Sequence, residues 1–126
     1  PTVRDGYPAE LRRNGALGVM GGSDLVRGVV DDLAAAAPVP TIAARFHHGL
    51  IRLTARAVRV VAADREHRTV VLSGGCFQND VLTSGLVAEL EASGLRVLRH
   101  RRVPPNDGGL PLGQLAVAAA RLAAGG

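Results

Sequence analysis

Aromatic side chains are almost missing from this chain: there is no tryptophan, with 1 tyrosine and 2 phenylalanines among 126 residues. The stacking platforms on which single-stranded nucleic acids lie are therefore excluded. Lysine is missing too, since every one of the 15 basic residues is arginine. Together with abundant alanine, that reads as compositional bias as much as selection for guanidinium chemistry. A single cysteine, Cys76, excludes an internal disulfide and a cysteine-built zinc cage, and it fits a reducing, cytoplasmic setting. No uninterrupted apolar stretch is long enough to cross a bilayer, so a soluble protein is expected with no membrane partner. The chain opens on Pro1 without an initiator methionine or a targeting segment, which leads us to expect a piece of a longer polypeptide.

What remains is a globular composition, 47% hydrophobic and 21% charged, long enough for one ordinary domain with a real core. The formal charge of +4 would attract polyanions. Arg45, Arg52, Arg56 and Arg59, however, recur with helical spacing, and a solvated face opposite an apolar stripe explains them better than a nucleic-acid surface.

Residues 1–22 hold two prolines and several glycines and are expected to be irregular; residues 23–126 form the folded lobe. Ser23 is a candidate cap for a first helix, on which Leu25, Val29, Val30 and Leu33 repeat; Pro38 and Pro40 interrupt the pattern. Thr41 is a candidate cap for the strongest helix, running to about Ala63, with Ile42, Phe46, Leu50, Leu53, Ala57, Val60 and Val61 along one side. "RTVVLSGG" predicts a short strand, "DVLTSGLVAELEAS" an amphipathic helix ending at Gly94, "LRVLRH" a second strand, "RRVPPNDGG" a loop and "LPLGQLAVAAARLAA" a closing helix. Strand, helix, strand favours a right-handed crossover between parallel strands. The fold class is α/β, with a short, mainly parallel sheet flanked by helices. Two strands are thin for a complete layer, which again implies a missing portion.

The stretch most in need of explanation is "VVLSGGCFQND", residues 70–80, where a strand ends on two glycines and hands over to polar groups. Without Cβ atoms in the way, backbone N–H groups at such a corner suit an anion or a nucleotide edge; a tight turn alone also calls for glycine. Asn79 and Asp80 offer hydrogen-bonding groups and are equally good helix caps.

"LSGGCFQNDVL" followed by "GLRVLRHRRVPPNDGGLPLGQLAVA" resembles the C-terminal end of the hydrogenase-maturation carbamoyltransferases, HypF, and "IAARFHHGL" is similar to that family's helix carrying Phe-His. Together these elements span roughly residues 40–116. The resemblance implies part of an actin/Hsp70-type (ribonuclease H-like) ATPase lobe. The implied activity moves a carbamoyl group from carbamoyl phosphate, through ATP and a carbamoyl-adenylate, to the C-terminal cysteine of the partner HypE, for the cyanide ligands of nickel–iron hydrogenases. Upstream domains of the parent protein have no counterpart here, so the chain alone is expected to be inactive. A natural-product O-carbamoyltransferase with an alcohol acceptor, or a non-catalytic interaction remnant of the same fold, stays open beside it.

Carried over residue by residue, the resemblance makes Ser73, Gly74, Gly75, Asn79 and Gly108 nucleotide contacts. It makes Asp107 one ligand of a divalent metal (iron, zinc or magnesium), with an Asx-type turn as the plain alternative. The family's companion His-x-x-x-His pair is absent, the four histidines being His47, His48, His67 and His100, so the metal site is incomplete here. No catalytic residue is assigned. His47 matches the family's Phe-His pair and reads as structural, His48 as exposed, Cys76 as a buried inert thiol, Phe77 as core. Gln114 supports the Asp107 loop, and at most one of Arg101 and Arg102 faces inward.

Overall fold

The computed structural model describes residues 5–14 and 17–125. Strands β1 (Leu11–Asn14) and β2 (Leu17–Met20) form an antiparallel hairpin, followed by helices α1 (Gly22–Ala34) and α2 (Val39–Asp64). Strand β3 (Thr69–Leu72), helix α3 (Asp80–Ala92) and strand β4 (Arg96–Arg99) make a strand–helix–strand unit with β3 and β4 parallel, and α4 (Leu110–Ala123) closes the chain. Short 3₁₀ turns at Gly75–Gln78 and Asp107–Gly109 introduce α3 and α4.

The order of elements from α1 onward is the one the sequence predicts. The expected irregularity of residues 1–22 fails over its described part, which carries the hairpin; residues 1–4 and 15–16 lie outside the described residues. Strands of only four residues, LRRN and LGVM, carry almost no period-two signal, and the pairing Leu11↔Met20 to Asn14↔Leu17 supplies what propensity lacks. Both expected caps are displaced as well. Helix α1 begins at Gly22, so Ser23 sits inside it, and α2 begins at Val39 behind an extended Pro38, with Pro40 in the first turn where its missing N–H costs nothing.

Helix α2 is the spine, and it threads two apolar clusters. Its Ile42 and Leu53, with Phe46 and Leu50 at the margin, pack with Tyr7 and Leu25 in the first. Its second half contributes Ala55 and Ala62 to a cluster with Leu72, Leu86, Leu90 and Leu95. The buried stripe rotates along the helix, leaving Val60 and Val61, expected in the core, 41% and 59% exposed. Toward its start the helix comes close to the N-terminal segment: a Cβ on Gly49 would lie 2.6 Å from the Tyr7 carbonyl oxygen and 2.7 Å from Leu25 Cδ2.

That segment is pinned by polar contacts. The Tyr7 hydroxyl donates to Asp32 Oδ2 at 2.7 Å, and Arg45 Nη1 donates to Asp32 Oδ1 and Oδ2 at 2.9 and 2.7 Å. Arg45, expected on a solvated face, is therefore a structural ion-pair partner. Burial first, then the hydrogen bond and charge of Asp32, push the Tyr7 phenol up to about 12, while Arg45 opposes. Hydrogen bonds from Tyr7 and then Arg45 lower Asp32 from its ordinary value. A phenol raised in the folded state contributes stability that is whole below the unfolded phenol's pKa and fades as pH climbs toward 12. A carboxyl lowered in the folded state contributes stability present above the ordinary carboxylate range and lost as pH falls through it. The melting temperature is expected to fall at both ends; Tyr7→Phe should remove the alkaline limb and also shrink the acid one, because the Tyr7 hydroxyl is the first of the donors that lower Asp32. With 1 tyrosine in the chain, phenolate absorbance reads that limb directly.

Val70, Leu72 and Val97 face α2 and α3. The opposite face of the parallel pair bears Val71, 64% exposed, and its register partner Leu98, 40% exposed. Helix α4 is exposed throughout, including Leu112, Leu115, Val117 and Leu122. Parallel sheets are normally covered on both faces, and a nearly all-apolar helix is normally buried.

Candidate functional site

The site forms where the parallel strands end, the edge at which open α/β sheets place their ligands. Beyond Leu72 the chain turns through Ser73 and Gly74, whose φ of 105° and ψ of 160° belong to a region essentially reserved for glycine. The Gly74 N–H donates to the Pro105 carbonyl at 2.8 Å, stapling the double-glycine corner to the Pro-Pro-Asn-Asp-Gly-Gly loop. Nearby, a Cβ on Gly75 would lie 3.8 Å from Asn106 Cβ. The two motifs thus border one cavity of about 780 Å³, lined by Ser73, Gly74, Gly75 and His100 on one side and Pro104 to Asp107 on the other. Gly113, Gln114, Val117 and Arg121 of α4 form its third wall.

The loop holds its own shape. Asn106 Oδ1 accepts from the Gly108 N–H at 3.1 Å, and its carbonyl accepts from Gly109 N–H at 3.0 Å. The Asx-type turn therefore belongs to Asn106. It leaves the exposed Asp107 carboxylate on the cavity wall with no hydrogen bond or ion pair to the described residues. Gly109 is required by packing, because a Cβ there would lie 2.9 Å from the Pro104 carbonyl oxygen. Gly108, expected to contact the nucleotide, lies in the same turn but outside the cavity lining, which includes its neighbours Asp107 and Gly109. Among the described residues no three His, Cys, Asp or Glu side chains come together as ligands. Asp107 with its surroundings does not by itself fit a divalent ion, and no chemistry here is routed through one.

Asn79 lies outside the cavity lining. Its Oδ1 accepts from Leu82 N–H at 3.0 Å, capping α3, while Nδ2 lies 2.9 Å from His47 Nε2. The cap fixes the amide's orientation, so Nδ2 must donate and Nε2 must accept. His47 then carries its proton on Nδ1, which lies 2.8 Å from the Ala43 carbonyl. This relay ties α2 to the start of α3, and it supports the structural reading of His47. Asn79→Ala is expected to cost about 1 kcal/mol for the cap alone, read as a shift in the urea midpoint at constant slope.

Several expectations need correcting here. Cys76 is exposed, because the 3₁₀ turn carries it outward while Phe77 packs on the core. His48 is half buried, with its Nδ1 enclosed and without a partner among the described residues. His100, to which the sequence reading gave no role, lies in the cavity with Nε2 3.0 Å from Ser73 Oγ. Strand register was the signal available: Leu72 pairs with Arg99, so the next residue on each strand is Ser73 and His100.

A family described as "Carbamoyltransferase, Kae1-like Domain, second subdomain" matches residues 2–114. The chain belongs to that family. Among curated relatives, Carbamoyltransferase HypF2 of Cupriavidus necator is 46% identical over 83 residues, which is 63% of this chain and 10% of that protein. Carbamoyltransferase HypF of a Synechocystis species is 38% identical over 74 residues, 59% of this chain and 9% of that protein. The fold is shared with a full-length HypF solved in its phosphate- and nucleotide-bound form, at a TM-score of 0.84 and 30% identity over 94% of this chain and 16% of that one. HypF of T. kodakarensis superposes at 0.68 with 27% identity, covering 91% of this chain and 15% of that one. The α/β lobe with a short parallel sheet is thus a Kae1-like HypF fold, and the chain spans about a tenth of the length of these curated relatives.

Proposed function

We propose that this chain is one wall of the nucleotide cleft in a HypF-type carbamoyltransferase. The whole protein would transfer a carbamoyl group from carbamoyl phosphate, through ATP and a carbamoyl-adenylate, to the C-terminal cysteine of a HypE-like partner in hydrogenase maturation. The observation that carries this reading is the Gly74 N–H to Pro105 carbonyl bond, which makes the two family motifs two sides of one cavity. Membership of the carbamoyltransferase family and likeness to a nucleotide-bound HypF support it. The bare apolar faces of β3, β4 and α4 support it too, since a second subdomain has surfaces meant for the rest of its domain.

Ser73 and the backbone of Gly75 would meet the phosphate and ribose of the adenylate, where the lack of a Cβ lets a ligand approach, while Gly74 and Gly108, whose N–H groups are held by the Pro105 carbonyl and Asn106 Oδ1, would shape that wall. Asn79 would act indirectly by fixing the start of α3. Asp107 would give one oxygen ligand to a divalent cation whose remaining ligands come from outside this chain. In the transfer, the partner's thiolate attacks the carbamoyl carbon and a C–S bond forms. The bond from that carbon to the AMP phosphate oxygen breaks, its electron pair staying on AMP. The Gly75 N–H and the Ser73 hydroxyl at the corner would hold the departing phosphate.

The test is a titration of AMP into the chain, following the amide resonances of Gly74, Gly75 and Asn106. Saturable shifts confined to the cavity are expected, and their absence overturns the reading. Carbamoyl phosphate and ATP should yield no turnover with this chain alone; turnover would show that the cleft needs no second wall.

A further inference from the structure

The bond between Ser73 Oγ and His100 Nε2, 3.0 Å long, joins two exposed residues that both line the cavity. It is a product of sheet register, each residue following a member of the terminal pair Leu72↔Arg99. A hydroxyl has one proton and two acceptor lone pairs, and an imidazole nitrogen is either donor or acceptor. When Nε2 accepts, the Ser73 O–H points at the imidazole and the hydroxyl shows the cavity only lone pairs. These repel a ligand oxyanion. When Nε2–H donates, it occupies a lone pair and the Ser73 proton is free to turn into the cavity.

We infer that His100 is a positioning residue that sets the polarity of Ser73: donating from Nε2, it aims the Ser73 O–H at an oxyanion of the bound ligand. This rests on the nucleotide reading and deepens it, by making a phosphate the group that meets Ser73. The charged groups sharing the cavity are Asp107 on the loop and Arg121 on α4, with Arg99 and Arg101 beside His100 in the chain.

The experiment titrates AMP and, separately, inorganic sulfate into the chain at one fixed pH, reading the amides of residues 73–75. His100→Leu should weaken both ligands about tenfold, the effect of losing a hydrogen bond to a charged group. His100→Gln, whose amide can donate in place of Nε2, should bind near the wild-type level. Ser73→Ala should match His100→Leu, and the double variant should lose little more than either. A merely structural histidine would move the melting temperature and show no rescue of affinity by glutamine. The inference is overturned if His100→Leu keeps wild-type affinity, if His100→Gln binds no better than His100→Leu, or if the two losses add in full. AMP and sulfate that bind the wild type and His100→Leu alike sink this inference and spare the nucleotide reading. Amides of residues 73–75 unmoved by either ligand sink both.

Discussion

Leu86→Ala is expected to lower the unfolding free energy by about 3 to 5 kcal/mol, the upper part of the range for a buried leucine cut to alanine. Leu86 is 0% exposed, on the face of α3 that packs against α2 and the sheet. The cost depends on how well the site can collapse, and here the neighbours are poorly suited to collapse. Ala55 and Ala62 have no side chain to swing into the void, and Leu90, also 0% exposed, sits one turn away on the same rigid helix. A domain of this size holds about 5 to 15 kcal/mol in total, so the variant should sit near the edge of folding. Urea unfolding reads it as a lowered midpoint with unchanged slope. Leu115→Ala on α4, where the side chain is 67% exposed, should stay within about 0.5 kcal/mol. A small loss at Leu86 would mean that the second cluster around α2 does not form in this chain.

The same two clusters mark how far the sequence alone reaches. Strands β3 and β4 and helix α3 between them were readable because their patterns switch cleanly from runs of Val and Leu to leucines spaced by four, with Gly94 marking the end of the helix at a φ of 78°. Contacts between distant residues were not readable. Tyr7 reaches Asp32 across 25 positions, Asn79 reaches His47 across 32, and Ser73 reaches His100 across 27. No local propensity encodes such pairs, because each follows from how α2 lies against the N-terminal segment or how β3 registers with β4. The meeting of the two glycine motifs came from family resemblance, not from spacing. The assignment of the Asx turn to Asn106, which frees Asp107, needed the backbone itself.

Gly75→Val is expected to leave the fold nearly untouched and to weaken AMP binding by about ten- to a hundredfold, the equivalent of forcing 1 to 3 kcal/mol of excess bulk into a packed contact. The nearest atom to a Cβ at Gly75 is Asn106 Cβ at 3.8 Å, an ordinary van der Waals contact, so the free chain accommodates the substitution. The branched side chain then stands in the space between the corner and the loop, where the ligand would have to enter. Gly74→Val should behave in the opposite way. Nothing lies within 4 Å of a Cβ there, but a φ of 105° is one that valine cannot adopt without strain of about 1 to 3 kcal/mol. Relieving that strain would pull the Gly74 N–H off Pro105 and separate the two walls. Thermal melts and AMP titrations of the pair therefore divide the corner's two duties. Gly75→Val should keep the melting temperature and lose the ligand, whereas Gly74→Val should lose both. Wild-type AMP affinity in Gly75→Val would mean that the cavity between these motifs is not where the nucleotide goes.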